Sequence, residues 1–355
     1  MVVRHLTIAN SNAKNVTPDL VARIKDAYAL GNGSLKGEVV VTKDLYALER
    51  KIAEYKSEEL TFVGILGGDG GVMHVRTAIE SIWGYRPRYA LFPGGTQMNI
   101  QRAAGLKNKE SSITLAKYIA QKASLGELEK STISFPSLDI NGMKGFNVGL
   151  GLVPKLLWMY DGKSAEQYAR LEEALQTAEP TKYLEIYEKV RKQYPEEIIK
   201  EKGLVGVCRA AWKSLNGLLN AHSFEGDLLS TPLKGGIIVD GEKKVFSQPP
   251  LGLYISCYEE INLGLSFCNP VPLPEARTEP GRFQVIAPYG NPLHIALEFP
   301  RVIRGKHLSK AEYFFASVLQ AQTQIAEVDG EILLRNGFSI KYDGEARLIS
   351  PLASS

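Results

Sequence analysis

Cysteine is scarce. The 355 residues hold three, Cys208, Cys257 and Cys268, an odd number without CxxC spacing, so neither a disulfide framework nor a zinc site is expected. They read as small buried apolar side chains. Long apolar runs are missing as well: the stretch from Leu251 to Tyr258 falls far short of the roughly 18 residues that suggest a membrane span. The opening Met1-Val2-Val3-Arg4-His5-Leu6 shows no charged segment followed by a long apolar one, so no signal peptide is expected and cytoplasmic residence is the default. Charge of one sign is nearly absent too, with 42 Lys plus Arg against 39 Asp plus Glu and a net charge of +3. Without a clustered basic run, that balance argues against nucleic acid as a partner. With 44% hydrophobic and 23% charged residues the composition is that of an ordinary globular protein. The length suggests roughly two domains.

Two kinds of text divide the chain. From residue 1 to 129 short apolar runs alternate with helical spacing, the pattern of βα units. Strands are expected at Val2 to Ala9, Glu38 to Thr42, Leu60 to Leu66 and Arg88 to Phe92. Helices are expected at Thr17 to Leu30, Asp44 to Tyr55, Val72 to Trp83 and from Met98 to Ala104. An open, mostly parallel α/β sheet is the simplest fold for this half. Residues 130 to 355 are β-rich and carry the hairpin dipeptides Asn141-Gly142, Asp240-Gly241, Asp329-Gly330 and Asp343-Gly344, which predicts an antiparallel β-sandwich. Within it a mixed-charge segment, about 155 to 222, has helical spacing and reads as a helical insertion with a solvated surface. The C-terminal tail is expected to pack back on the first domain. There is no internal repeat and no low-complexity tract.

Chemistry concentrates at Gly67-Gly68-Asp69-Gly70-Gly71, between an expected strand and helix. Glycine lets backbone approach a ligand closely, and a helix N-terminus offers unpaired N–H groups to an anion, so phosphate is the natural guest. The run is neither a Walker A loop nor GxGxxG. A carboxylate in a phosphate turn repels phosphate unless it does chemistry, which points to Asp69 as a proton acceptor or a Mg²⁺ ligand. The alternative is a glycine-rich turn with Asp69 as a helix cap. A second turn, Phe92-Pro93-Gly94-Gly95-Thr96, repeats the strand, glycine, helix arrangement. Parallel units would place both turns at the carboxyl edge of one sheet, where open α/β folds bind ligands.

This pair of motifs, in this order, resembles the diacylglycerol kinase catalytic domain family, which includes soluble lipid kinases and sphingosine kinase-like proteins. Gly145-Phe146-Asn147-Val148-Gly149-Leu150-Gly151 resembles the strand where that family's second domain begins. Leu263-Gly264 through Asn269-Pro270 to Pro274-Glu275-Ala276 resembles its later glycine region, and Asp343-Gly344-Glu345 its C-terminal acidic turn. The resemblance implies an α/β nucleotide domain followed by a β-sandwich, with ATP and Mg²⁺ in the cleft and the γ-phosphate passing to a lipid hydroxyl. It implies Asp69 as the catalytic base. It also implies phosphate or nucleotide contacts from Asn10, Gly67, Gly68, Gly70, Gly71, Gly94, Gly95, Thr96, Asn99 and Glu345. Asp240-Gly241-Glu242 and Asp329-Gly330-Glu331 repeat the DGE text, and Glu331 is a rival to Glu345.

Departures from the family pattern stand around the phosphates. Gly71 replaces a usual Thr and His74 a usual Glu. Met98 and Asn99 stand where Asn and Asp are common, Asn10-Ser11-Asn12-Ala13-Lys14 is a reduced N-terminal phosphate loop, and Glu279-Pro280-Gly281 replaces an Asp-Gly. His74 reads as an exposed or capped helix histidine, or else as a polar partner of the loop. The competing functions are an NAD kinase-like enzyme and a non-catalytic kinase-like protein that binds nucleotide or lipid. For a lipid acceptor the expected partner is a membrane surface met peripherally and reversibly. Oligomeric state is left open, a homodimer included.

Overall fold

The computed structural model describes residues 2–56, 59–95, 99–106, 110–160, 163–193, 224–257, 281–303 and 307–351. The first part alternates strand and helix: β1 Val3–Asn10, α1 Pro18–Ala29, β2 Leu35–Thr42, α2 Leu45–Glu54, β3 Phe62–Gly67, α3 Asp69–Trp83, β4 Arg88–Pro93, α4 Asn99–Ala103 and α5 Glu110–Ser124. The strands pair in the order β2, β1, β3, β4, all parallel. Alternation sorts the side chains to two faces. Phe62 and Leu66 of β3 pack with Ile24, Tyr28, Leu115 and Ile119 of α1 and α5, whereas Val63 and Ile65 pack with Leu48, Ile52, Val72 and Ile79 of α2 and α3. Each fully buried aliphatic or aromatic side chain contributes about 1.5–3 kcal/mol, so both helical layers are held firmly to the sheet. Thr17 and Asp44 cap α1 and α2 by accepting from Leu20 and Ala47 N–H.

The helix after the first glycine run starts at Asp69, three residues earlier than the periodicity predicts. Its first-turn N–H groups need no intrahelical partner, so Gly70 and Gly71 enter the helix without costing a hydrogen bond.

The second part supplies β5 Thr132–Ile140, β6 Met143–Gly145, β7 Asn147–Gly151, β8 Ile237–Val239, β9 Glu242–Lys243, β10 Gly252–Ser256, β11 Phe283–Pro288, β12 Ala311–Ala316, β13 Val318–Ala321, β14 Ile325–Val328, β15 Glu331–Leu334 and β16 Phe338–Ile349. One sheet is antiparallel throughout, in the order β12, β11, β10, β7, β14, β15. The other is the continuation of the parallel sheet. β16 lies parallel to β4 through Arg347↔Arg88 and Leu348↔Tyr89, and antiparallel to β5 and β13. The two sheets face each other across Leu138, Ile140, Val148, Leu150, Leu253, Val285, Leu319, Val328 and Ile340, and Met73 of α3 reaches into the same core. Helices α6 Leu152–Tyr160, α7 Ala165–Thr177 and α8 Tyr183–Gln193, with Phe224–Ser230, pack around Trp158 and Tyr168. Residues 194–223 of the expected insertion lie outside the described residues.

Three of the four expected hairpin turns form. Asn141-Gly142, Asp240-Gly241 and Asp329-Gly330 all have positive φ at both residues, as type I′ turns require. The fourth does not. Asp343-Gly344 lies inside β16, where the register against β5 shifts between Tyr342 and Glu345, and Gly344 (φ 71°) forms a bulge. Its Asp is taken up by an ion-pair network rather than by a turn.

Candidate active site

Both glycine runs end at one sheet edge. Gly67 at the end of β3 pairs with Pro93 at the end of β4, and Gly94 N–H donates to the Gly67 carbonyl at 2.9 Å. A Cβ on Gly94 would stand 2.8 Å from Val16 Cγ2 and 3.0 Å from Gly67 N, so the two loops touch only because that side chain is missing. None of Gly67, Gly68, Gly70, Gly71, Gly94 and Gly95 has a positive φ. Their value is therefore space rather than backbone freedom. The segment after β1 braces the second loop: Asn15 N–H donates to the Gly94 carbonyl at 3.0 Å, and Asn15 Nδ2 to the Gly95 carbonyl at 2.9 Å. Asn10 ends β1 on the same edge, its Oδ1 accepting from Asn12 N–H at 3.0 Å. Its Nδ2 is 3.7 Å from where a Gly71 Cβ would be. Thr96 and Met98 lie outside the described residues, and Asn99 is described only as the backbone that opens α4.

Asp69 is the first residue of α3 and only 3% exposed. It does not cap the helix. The cap is Gly68, which has no side chain to accept a bond, so the first-turn N–H groups remain available to a ligand. Asp69 Oδ1 instead accepts from Ile100 N–H at 3.3 Å, while Gln101 Nε2 donates to the Gly67 carbonyl at 3.3 Å. Helix α4, directly after the second loop, thereby orients the carboxylate of the first.

The sandwich closes the site with carboxylates from the β14–β15 hairpin. Glu331 stands over Gly70, where an added Cβ would meet its Oε1 at 2.6 Å. Asp329 is buried and accepts from Phe146 N–H at 3.0 Å and Asn147 N–H at 2.9 Å. Burial, and then the negative charges of Asp69 and Glu327, raise its carboxyl well above the usual range. Buried Glu327 is raised to about 7, first by desolvation, then by Asp69 and Glu331, with Gly330 N–H opposing the shift. Asp69, Glu327, Asp329 and Glu331 thus feel one another's charge at the meeting point of the two parts of the molecule.

Glu345 is elsewhere. It pairs with Pro136 beside the Arg347↔Arg88 contact, and its carbonyl accepts from Arg86 at 3.2 Å. Arg88 begins β4 and Pro93 ends it, so Glu345 stands at the sheet edge opposite the glycine loops. The expectation that Glu345 contacts nucleotide is corrected: Glu331, from an identical DGE triplet, occupies the loop edge. The two copies read alike because three residues do not specify whether a turn or a bulge forms.

A cavity of 240 Å³ opens beside Gly71, with Ile8, Leu45, Leu48, Ile65 and Val75 as apolar lining and Asn10, Asn12, Thr42, Lys43, Asp44, His74 and Glu331 as polar lining. His74 is not the exposed helix residue that the sequence suggested. It is half-buried, and desolvation lowers its imidazole below the ordinary histidine value. The Thr42, Lys43 and Asp44 contribution comes from the β2–α2 turn, which carries no glycine signature and was not legible as site.

Residues 6–128 match the family model for the diacylglycerol kinase catalytic domain. This segment belongs to that family. The matched range holds both glycine loops, Asp69 and the cavity lining apart from Glu331. No curated protein sequence matches the chain. Among solved structures, a diacylglycerol kinase from Bacillus anthracis str. Sterne aligns over 99% of this chain and 98% of its own, with a TM-score of 0.58 and 14% identity. Two further structures from that organism, provisionally assigned as diacylglycerol kinases, give TM-scores of 0.62 and 0.61 at 15% and 16% identity over the same shares. At such identities the likeness is one of fold, and it extends through the sandwich as well as the kinase domain.

Proposed function

We propose that the chain is an ATP-dependent lipid kinase that transfers the γ-phosphate to a hydroxyl of diacylglycerol, a sphingoid base or a similar lipid. Residues 1–129 would bind the nucleotide and 130–355 the acceptor. The observation that carries this reading is Asp69: a buried carboxylate held by Ile100 N–H between two touching glycine loops, facing carboxylates from the sandwich. Phosphoryl transfer needs little covalent work from a protein and much positioning and charge neutralisation. The uncapped N-terminus of α3 offers N–H groups to the phosphates, and Gly70 and Gly94 let backbone come close. The cavity beside Gly71 is large enough for a nucleoside, its apolar wall receiving the base.

Asp69 accepts the proton of the acceptor hydroxyl as that oxygen bonds to the γ-phosphorus and the bond to the β-phosphate oxygen breaks, releasing ADP. Mg²⁺ fits the donor set, because Asp69 and Glu331 present hard carboxylate oxygens at the loop edge. Among the described residues no group of three or more His, Cys, Asp or Glu holds a metal unaided, which suits an ion bound mainly through phosphate. When bound, it would neutralise charge on the phosphates.

The test is γ-phosphoryl transfer from ATP to a panel of diacylglycerol, sphingosine and NAD. Asp69→Asn is expected to reduce lipid phosphorylation by about 10²–10⁴-fold while the variant still unfolds cooperatively. Turnover retained in Asp69→Asn would remove the assigned base. Transfer to NAD alone would favour an NAD kinase-like enzyme, and ATP binding without transfer a non-catalytic protein.

A further inference from the structure

The polar lining of the cavity beside Gly71 includes His74, whose chemistry the kinase reading does not use. His74 lies one helical turn beyond Gly71 on α3, half-buried, and its ring nitrogens make no hydrogen bond or ion pair among the described residues. Desolvation lowers its pKa and so favours the neutral ring. A neutral imidazole carries one donor and one acceptor, and leaving both unmet in a half-buried position is unfavourable unless a ligand or water meets them.

Position narrows the ligand. Three residues along an α-helix advance about 4.5 Å. If phosphates sit at the N-terminus of α3, a group that far along the helix, in the same cavity, meets the part of the nucleotide next to the phosphates rather than its far end. Leu45 and Leu48 line the same cavity and offer an apolar surface suited to a base. Two of the neighbouring polar side chains already have backbone partners. Asn12 donates through Nδ2 to the Lys43 carbonyl at 2.6 Å, and Asp44 accepts from Ala47 N–H at 2.7 Å.

We propose that His74 is the sugar-reading residue of the nucleotide site, its imidazole hydrogen-bonding a ribose hydroxyl. This rests on the nucleotide reading above and adds to it a preference for ribonucleotides over deoxyribonucleotides. A site built around a hydroxyl rejects an analogue that lacks it, because the protein group is left unpaired.

The experiment is equilibrium binding of ATP, 2′-deoxy-ATP and 3′-deoxy-ATP to the full chain, in wild type, His74→Phe and His74→Gln. Wild type is expected to bind at least one deoxy analogue about tenfold more weakly than ATP, the loss of one hydrogen bond. His74→Phe keeps the ring volume and should bind all three within about twofold. His74→Gln restores a donor and an acceptor and should recover part of the discrimination, which also guards against a Phe variant that folds poorly. Discrimination that persists undiminished in His74→Phe, or its absence in wild type, would overturn this inference while leaving the kinase reading standing. Failure of wild type to bind ATP at all would overturn both.

Discussion

Glu327 sits two residues before the Asp329-Gly330 turn, buried, with Asp69 and Glu331 both adding negative charge to its surroundings. Its pKa of about 7, against an ordinary 4.5, means that the folded chain keeps a proton there that the unfolded chain releases. Stability linked to this group is therefore fully present below about pH 4.5 and is lost as pH rises to about 7, after which it changes no further. His5 works in the opposite sense. Burial lowers it to about 4, so its contribution is present above the ordinary 6.5 and lost as pH falls. Urea unfolding of wild type and Glu327→Gln between pH 4.5 and 8 separates the two: wild type should lose stability relative to the variant across that window, and parallel curves would show that Glu327 ionises normally. None of this could be read from the sequence, where Glu327 is an unremarked residue of a strand. Its environment is assembled by β7, the β14–β15 hairpin and α3, which are far apart in the chain.

Helix α3 joins the site to the rest of the molecule at three levels. Asp69 opens it at the loop edge, Met73 enters the sandwich core, and Arg76, fully buried, reaches an ion-pair network. Arg76 pairs with Glu80 at 3.0 Å and lies 4.8 Å from the Phe146 ring centroid. Glu80 also binds Arg86 at 2.9 Å, and Asp343 binds both Arg86 at 2.6 Å and Lys144 at 2.8 Å. Lys144 completes the chain by pairing with Asp139 at 2.7 Å. The Gly344 bulge aims Asp343 at these cations, so the triplet that reads as an acidic turn is a staple between α3, the α3–β4 connection, β5, β6 and β16. Asp343→Ala leaves the partly buried Arg86 and Lys144 with Glu80 and Asp139 as their remaining carboxylates and should cost about 2 kcal/mol in chemical unfolding. A loss under 1 kcal/mol would mean that solvent already screens the network. The α/β elements were legible because βα units are local: periodicity located β1 to β4 and α1 to α4 to within a few residues, although the sequence reading did not name α5. The bulge was not, since it exists only relative to the partner strand β5.

At the scale of the whole molecule, no helix among the described residues is long and apolar enough to cross a membrane. For a lipid acceptor at a membrane, a net charge of +3 offers little attraction to an anionic surface. Association with anionic vesicles in a sedimentation assay should be weak and should fall further as salt rises from 50 to about 500 mM, because screening shortens the range of the attraction. Tight, salt-insensitive binding would point instead to an apolar docking surface. Taken alone, the sequence determined what is local: two glycine turns at strand ends, Asp69 in the turn between a strand and a helix, and a parallel half followed by an antiparallel one. Those follow from backbone sterics and from the period of apolar residues, which act over a few positions. Only the tertiary structure decided which DGE triplet faces the glycine loops, which carboxylates share a site with Asp69, and that His74 lines a cavity. Each depends on a contact between segments far apart in the chain, and such contacts are set by how β14, β15 and β16 pair rather than by the residues nearest each motif.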